Sequence, residues 1–279
     1  MLVFARNKSI KHKINSLKKG TSIGFVPTMG ALHKGHLSLV QRAKQENDIV
    51  VVSIFVNPTQ FDKKEDLINY PKTIDQDLKL LKLMNCDIVF TPSAEEIYQN
   101  KIKSQLFEFD GLENQMEGKH RTGHFNGVGT IVKRLFEIVT PKNAYFGEKD
   151  FQQLQIIRKL VEKFQMPIKI IGCEIFREDD GLAMSSRNTR LTNKHRNAAP
   201  FIYKILKQAK IQFGTKNALN VVQWVENEFK NNPLLELEYF EIANEGTLHS
   251  IKNKKPKQKY RAFIAVFAGK IRLIDNISL

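Results

Sequence analysis

The chain has 279 residues, 42% of them hydrophobic and 26% charged, with 15 Gly, 9 Pro and 2 Cys. That composition belongs to a folded protein with enough chain for a buried core, and it excludes collagen-like, low-complexity and disulfide-framework classes. The 44 Lys+Arg against 29 Asp+Glu leave a formal charge of +15, which raises a nucleic-acid or membrane-surface role to be weighed against the motifs.

The first residues, MLVFARNKSIKHK, lack the apolar core of a signal peptide. Ser22–Val26 reads as a strand ending at Pro27, and Leu37, Val40 and Ala43 recur at helical spacing in a helix from about Gly35 to Gln45. Ile49–Val56 is a β-branched run of the kind covered on both faces in a parallel sheet. It is far shorter than the roughly 20 residues a membrane helix needs. Ile74–Leu83 is helical, Asp87–Phe90 a strand, Val128–Val139 a helix, Ala144–Phe146 a short strand, Phe151–Phe164 an amphipathic helix and Ile168–Phe176 a further strand. This alternation predicts right-handed crossovers and a doubly wound α/β sheet.

After Arg177 the pattern changes. A loop, Arg177–Leu191, leads to helices over about Asn193–Phe213 and Val221–Lys230, then strands at Leu237–Ile242 and Ala262–Ala268. We place a boundary at 176, with a larger α/β domain over 1–176 and a smaller α+β domain over 177–279. The charge is spread over both: 26 basic and 19 acidic side chains lie in 1–176, 18 and 10 in 177–279. Only Lys252–Arg261, with six basic residues and no acid, is a cluster, and a solvated lysine-rich loop between strands explains it. Cys86 and Cys173 stand far apart, in no CxxC or Cys/His cluster, as buried side chains in a reducing cytoplasm would.

Ligands of open α/β sheets bind beyond the carboxyl ends of the strands. The first such end is PTMGALHKGH, Pro27 to His36. Gly30 and Gly35 let the backbone approach a ligand, and His33 and His36, three apart, share a helix face at an N-terminus that favours anions. The plain alternative is a glycine-rich turn with two surface histidines, which the density of His and Gly disfavours. FVNPTQF, Phe55 to Phe61, offers Asn57 and Gln60 as neutral donors and acceptors. In FGEKDFQQL, Phe146 to Leu154, Lys149 is a candidate phosphate cation, and Asp150 with Gln153 also reads as a capping box. AMSSRN, Ala183 to Asn188, joins Ser185, Ser186 and Arg187 into a set apt for phosphate. Arg121 and His124 lie in a glycine-rich connection, Gly118 to Thr130.

Taken in order along the chain, PTMGALHKGH, VVVSIFVNPTQF, YPKT, RTGHFNGV, FGEKDFQQLQIIRK, DGLAMSSRN and RLIDN resemble the hallmark segments of the pantoate–β-alanine ligases, AMP-forming enzymes with a Rossmann-like domain. HKGH alone marks only the wider set of HIGH-type nucleotidyl-transferring folds. The resemblance implies that pantoate attacks the α-phosphate of Mg2+-ATP, and that β-alanine then displaces AMP from the pantoyl adenylate. It implies ATP contacts from Met29, Gly30, Ala31, Leu32, His33, Lys34, Gly35 and His36, with His36 catalytic, and from Gly147, Glu148, Lys149 and Asp150. Met184, Ser185, Ser186 and Arg187 complete the nucleotide set, with Phe176 near adenine. His33, Lys149 and Arg187 join His36 in neutralising charge on the phosphates. Gln60 and Gln153 are implied for pantoate and Gln60 for β-alanine. The metal ligands stay unassigned, since Gln76 interrupts the acids Asp75 and Asp77. Thr122 and Thr59 stand where the family more often has Pro and Met.

The substrates expected are small molecules: ATP, pantoate and β-alanine. A homodimer is implied by resemblance, with no nucleic-acid or membrane partner. Two other readings compete: a nucleotidyltransferase of the same superfamily, which leaves Gln60 and Gln153 without a purpose, and a nucleic-acid-binding module resting on the net charge.

Overall fold

The computed structural model describes residues 1–61, 64–99 and 101–279. Its packing divides the chain into two compact units, one of residues 1–113, 117–148 and 153–174, the other of residues 114–116, 149–152 and 175–279.

The first unit is built on a six-stranded parallel sheet. Its strands are β1 (Leu2–Phe4), β2 (Ile23–Thr28), β3 (Ile49–Ile54), β4 (Ile88–Phe90), β5 (Asn143–Gly147) and β6 (Lys169–Cys173), in the spatial order β1-β4-β3-β2-β5-β6. The helices that concern the site are α1 (Lys34–Glu46), α2 (Ile74–Leu83), α3 (His124–Val139) and α4 (Phe151–Lys163). β3 is apolar but for Ser53 because both faces of the sheet are covered. Val50 and Val52, with Val26 and Val89, join Leu39, Val40 and Ala43 of α1 and Leu81 of α2 in one cluster. Phe25, one residue out of phase with Val26, instead meets Phe136 of α3 with ring centroids 6.2 Å apart. Alternate residues of a strand point to opposite faces, so this division is the strand period itself. Each such apolar side chain, fully buried, contributes about 1.5–3 kcal/mol.

The strand order also fixes where a ligand belongs. From β2 the chain winds outward through β3 to β4, then returns to place β5 on the other side of β2. The reversal lies between β2 and β5, and the crevice beyond the carboxyl ends of two such strands is where doubly wound sheets bind ligands.

The second unit has a three-stranded antiparallel sheet of β7 (Glu236–Asn244), β8 (Tyr260–Ala268) and β9 (Ile271–Ser278), with β8 central. Helices α5 (Phe201–Thr215) and α6 (Ala218–Lys230) cover it, Ile202, Ile205, Leu206, Val221 and Val225 sharing a core with Ile264 and Val266. A parallel α/β sheet with a smaller antiparallel unit is the architecture expected from the sequence.

Three of the elements that differ from the sequence reading are informative. The helix expected over Asn193–Phe213 is two helices, Asn193–Ala198 and Phe201–Thr215. Pro200 stands between them, unable to donate an amide N–H to a continuous helix. The terminal RLIDN run is the strand β9, whose apolar alternation is broken by Asp275 and Asn276, polar residues that are nonetheless buried. β1, only three residues long, is too short to show a period.

Candidate active site

The loop after β2 is shaped by its own backbone. Thr28 Oγ1 donates to Ser53 O at 2.8 Å and accepts from Gly30 N–H at 3.2 Å. Gly30 (φ 84°) and Ala31 (φ 50°) then turn the chain through the left-handed region, which costs nothing for Gly and is sparsely populated for Ala. A Cβ on residue 30 would lie 3.0 Å from Asp77 Oδ2 and 3.1 Å from Ile54 Cγ2, so glycine is favoured by tight space as well as by angle.

Asp77 holds this turn. Its Oδ2 accepts from Ala31 N–H at 3.0 Å and its Oδ1 from Leu32 N–H at 2.8 Å, while Thr73 Oγ1 donates to Oδ2 at 3.2 Å. The carboxylate is 1% exposed. An ionised acceptor on two amides is among the stronger hydrogen-bonding arrangements, and it offsets the unfavourable φ of Ala31. Asp77 is therefore a clamp on the 30–32 backbone.

His33 caps α1, outside the helix, so the two histidines do not share a helical face as their spacing suggests; His33 is extended at φ −137°. They meet all the same, with ring centroids 4.0 Å apart. His36 Nδ1 accepts from the His33 backbone N–H at 3.3 Å, a bond that leaves the proton of the neutral ring on Nε2. Lys34 is exposed and Gly35 and His36 half-buried in the first turn, where free N–H groups and the helix dipole favour an anion.

The turn after β3 approaches the same loop. Gln60 Nε2 donates to Met29 Sδ at 2.8 Å, and Gln60 Oε1 accepts from Asn57 Nδ2 at 3.1 Å. Asn57, a second substrate donor on the sequence reading, is instead buried and engaged by protein. Its Oδ1 accepts from Tyr98 OH at 2.5 Å and from Thr59 Oγ1 at 3.1 Å, and its Nδ2 also donates to Gly127 O at 3.2 Å. Burial pushes the Tyr98 phenol up, against the pull of Thr59, Arg134 and Asn57, so it stays a neutral donor. Beneath the turn, His124 Nδ1 donates to Gln60 O at 2.9 Å and Arg121 Nη1 donates to His124 Nε2 at 3.1 Å. Arg121 and His124 thus support Gln60 through its backbone.

At the end of β5, Gly147 and Glu148 are half-buried. Glu148–Asp150 form a 3-10 turn that runs straight into α4. The capping-box reading of Asp150 and Gln153 therefore does not hold: Asp150 lies within the helical run, and Gln153 sits half-buried on the first turn.

The second unit carries a separate group. Met184 N–H donates to Phe176 O at 2.9 Å, closing a loop around Gly181. Phe176 is exposed and Met184, Ser185, Ser186 and Arg187 are half-buried. Ser185 Oγ accepts from Arg187 N–H at 3.2 Å and caps the 3-10 turn Ser186–Arg190. Lys149, Ser185 and Arg187 line one cleft together with Arg272 and Asp275. Asp275 is 4% exposed and takes both nitrogens of the Arg177 fork, at 2.7 and 3.0 Å. Burial pushes its carboxyl up while the Arg177 guanidinium opposes it.

The remaining reactive groups do not join either cluster. Both cysteines are free and buried, with Cys86 pushed up to about 12 by burial, so neither is a thiolate nucleophile. Among the described residues no three His, Cys, Asp or Glu side chains gather as a metal cage, and no helix is long and apolar enough to cross a membrane.

The family model for pantoate-beta-alanine ligase matches residues 2–278. The chain belongs to that family. Among its relatives, the pantothenate synthetases of Christiangramia forsetii and Flavobacterium psychrophilum are each 57% identical over the whole chain, which spans 99% and 100% of their lengths. The solved pantothenate synthetase of Thermus thermophilus superposes with a TM-score of 0.91 at 36% identity, over 99% of both chains. The Francisella tularensis pantoate-beta-alanine ligase, solved with beta-gamma ATP and beta-alanine, superposes with a TM-score of 0.85 at 39% identity, over 100% of this chain and 97% of that one.

In this ligase, sequence reasoning misses the residues that act on backbone. Asp77 is one of the two acids left unassigned in the stretch 75–77, and nothing local marks its partners 45 and 46 positions away. The roles of Tyr98, Asn57 and Asn276 escape it for the same reason.

Proposed function

We propose that this ligase activates the carboxylate of pantoate with ATP and condenses it with β-alanine, releasing AMP and diphosphate. The observation that carries the reading is the family match along residues 2–278 of a chain whose Met29–His36 loop leaves the sheet at its reversal. Residues 1–176 are read as the domain for ATP and pantoate and 177–279 as the smaller one.

The chemistry needs no protein nucleophile. A pantoate carboxylate oxygen attacks the α-phosphorus, the bond to the bridging oxygen breaks, and diphosphate leaves. The β-alanine amine then attacks the acyl carbon, loses a proton, and AMP departs with the acyl–oxygen bond pair. What the protein supplies is placement and charge stabilisation. His36, with Nε2–H as donor, His33, Lys149 and Arg187 face the phosphates, joined by backbone from Met29 to Gly35 and from Gly147 to Asp150. Met184, Ser185 and Ser186 extend that set, and Phe176 lies by adenine. Gln60 and Gln153 hold the uncharged diol of pantoate, Gln60 also meeting β-alanine. The hydrogen bond between Gln60 and Met29 supports reading pantoate and the phosphate loop as neighbours.

Magnesium enters as the counter-ion of ATP. It prefers phosphate oxygens and water to an all-protein cage, in keeping with Asp77 giving both oxygens to backbone amides. We further read the enzyme as a cytoplasmic homodimer.

Labelled diphosphate tests the reading. Exchange into ATP is expected when pantoate is present and β-alanine absent, and to stop when divalent metal is chelated; AMP release then requires β-alanine. Exchange indifferent to pantoate, or a stable nucleotidylated product with no amide formed, would overturn it.

A further inference from the structure

The stretch 149–152 belongs with the second unit although the chain on both sides of it belongs with the first. Three contacts within the second unit hold it there. Asn276 Nδ2 donates to Lys149 O at 2.9 Å, the Arg261 guanidinium lies 3.9 Å from the Phe151 ring centroid, and Gln152 Nε2 donates to Gln115 O at 2.8 Å. The Asn276 contact is the one that falls on Lys149 itself.

Asn276 is held firmly. It is 2% exposed on β9, its Oδ1 accepts from Arg261 Nη1 at 2.6 Å, and its own N–H donates to Asp275 Oδ1 at 2.7 Å. Arg261 is fixed in turn by Glu245, Nε to Oε1 at 2.9 Å. The side-chain amide of Asn276 therefore has a defined orientation, oxygen towards Arg261 and nitrogen towards Lys149 O. The preceding residue, Asp275, grips Arg177, which opens the loop leading to Met184–Arg187. Two adjacent residues of one strand thus tie down two of the segments that line the cleft of Lys149, Ser185 and Arg187.

We infer that Asn276 is a positioning residue for adenylate formation: by holding the Lys149 carbonyl it sets the starting point and direction of the Lys149 side chain. The inference rests on reading Lys149 as a phosphate-facing cation. Lysine is a point charge on a flexible stem, so its usefulness depends on where its backbone is fixed. A displacement of about 1 Å at a reacting centre costs up to about 100-fold in rate.

Asn276→Asp, combined with Lys149→Ala, separates this role from folding. The carboxylate keeps an acceptor for Arg261 but replaces the donor to Lys149 O with a second acceptor, which repels the carbonyl. Pantoate-dependent ATP–diphosphate exchange is expected to fall about 10- to 100-fold, with little change in KM for β-alanine; the buried mismatch also lowers the melting temperature, so the activity is read well below the variant's own melting range. In a Lys149→Ala background, which is itself slow, Asn276→Asp is expected to add less than about twofold, because groups acting through one another are non-additive. Full exchange in Asn276→Asp, or a loss that multiplies fully with that of Lys149→Ala, overturns the inference. Lys149→Ala at the parent rate instead overturns the reading of Lys149, a result visible in the single variant alone. If Asn276→Asp melts well below the parent, Asn276→Ala goes through the same cycle with the same criteria.

Discussion

His36 and Asp77 act on the same loop in different ways, and substitution should separate them. His36 presents Nε2–H because its Nδ1 accepts from the His33 amide. In His36→Ala the loop keeps its clamp, so melting should be near that of the parent while exchange falls about 10²- to 10⁴-fold, the range for a lost proton donor or charge-stabilising donor. In Asp77→Asn one of the two amides at residues 31 and 32 faces an NH2 in place of an oxygen, and a buried donor left unmet costs about 1–3 kcal/mol. That variant should melt lower and also use ATP poorly; a fall in neither would contradict the clamp. The contrast marks what can be read from residues alone. HKGH announces itself by local spacing, whereas Asp77 becomes meaningful only when α2 brings it beside a left-handed turn.

At the level of elements, the turn carrying Gln60 is positioned by contact with the backbone of α3. Gly127 lies where a Cβ would come within 2.3 Å of Thr59 O and 2.7 Å of Gln60 Cα. Backbone cannot step aside as a flexible side chain can, so Gly127→Ala should destabilise by about 1–3 kcal/mol and raise KM for pantoate by displacing Gln60. Gly147→Ala is the control: a Cβ there meets nothing within 4 Å, so stability should hold and any effect should fall on ATP alone. Equal melting of both variants would refute the packing argument. Most elements are legible in the sequence because both sheet faces are covered and the helices are amphipathic, which writes their periods into the chain. β9 is not, since its polar pair Asp275 and Asn276 is buried by Arg177, Arg261 and Lys149 O, partners that no window of sequence contains. The helix over Asn193–Phe213 reads as one because the apolar pattern on either side of a single proline outvotes it.

For the molecule as a whole, the excess of positive charge is spread, and part of the basic side-chain complement is matched within the fold. Arg42 pairs with Glu46, Lys44 with Asp87, Arg196 with Glu178 and Asp180, and Arg272 with Glu238. Lys254 of the basic loop donates to Gly214 O at 3.2 Å and lies 4.3 Å from the Phe213 ring centroid, so it closes a helix end. Association with RNA or DNA should therefore be of the counter-ion-release kind, falling steeply with salt and vanishing near physiological ionic strength while ATP–diphosphate exchange continues. Tight nucleic-acid binding at that salt would revive the charge as a functional feature.

The insertion of 149–152 into the second unit has a bearing on how this chain is made. Phe151 leaves the ribosome well before Phe263, the ring it finally packs beside at 6.0 Å, and Lys149 before the strand that fixes its carbonyl. Pairings so distant in sequence form late, because closing the intervening loop must precede any contact it rewards. A nascent ligase can therefore complete much of its parallel sheet while the lysine read as its phosphate cation still hangs unplaced, waiting for a strand synthesised after all six of that sheet to hold its carbonyl.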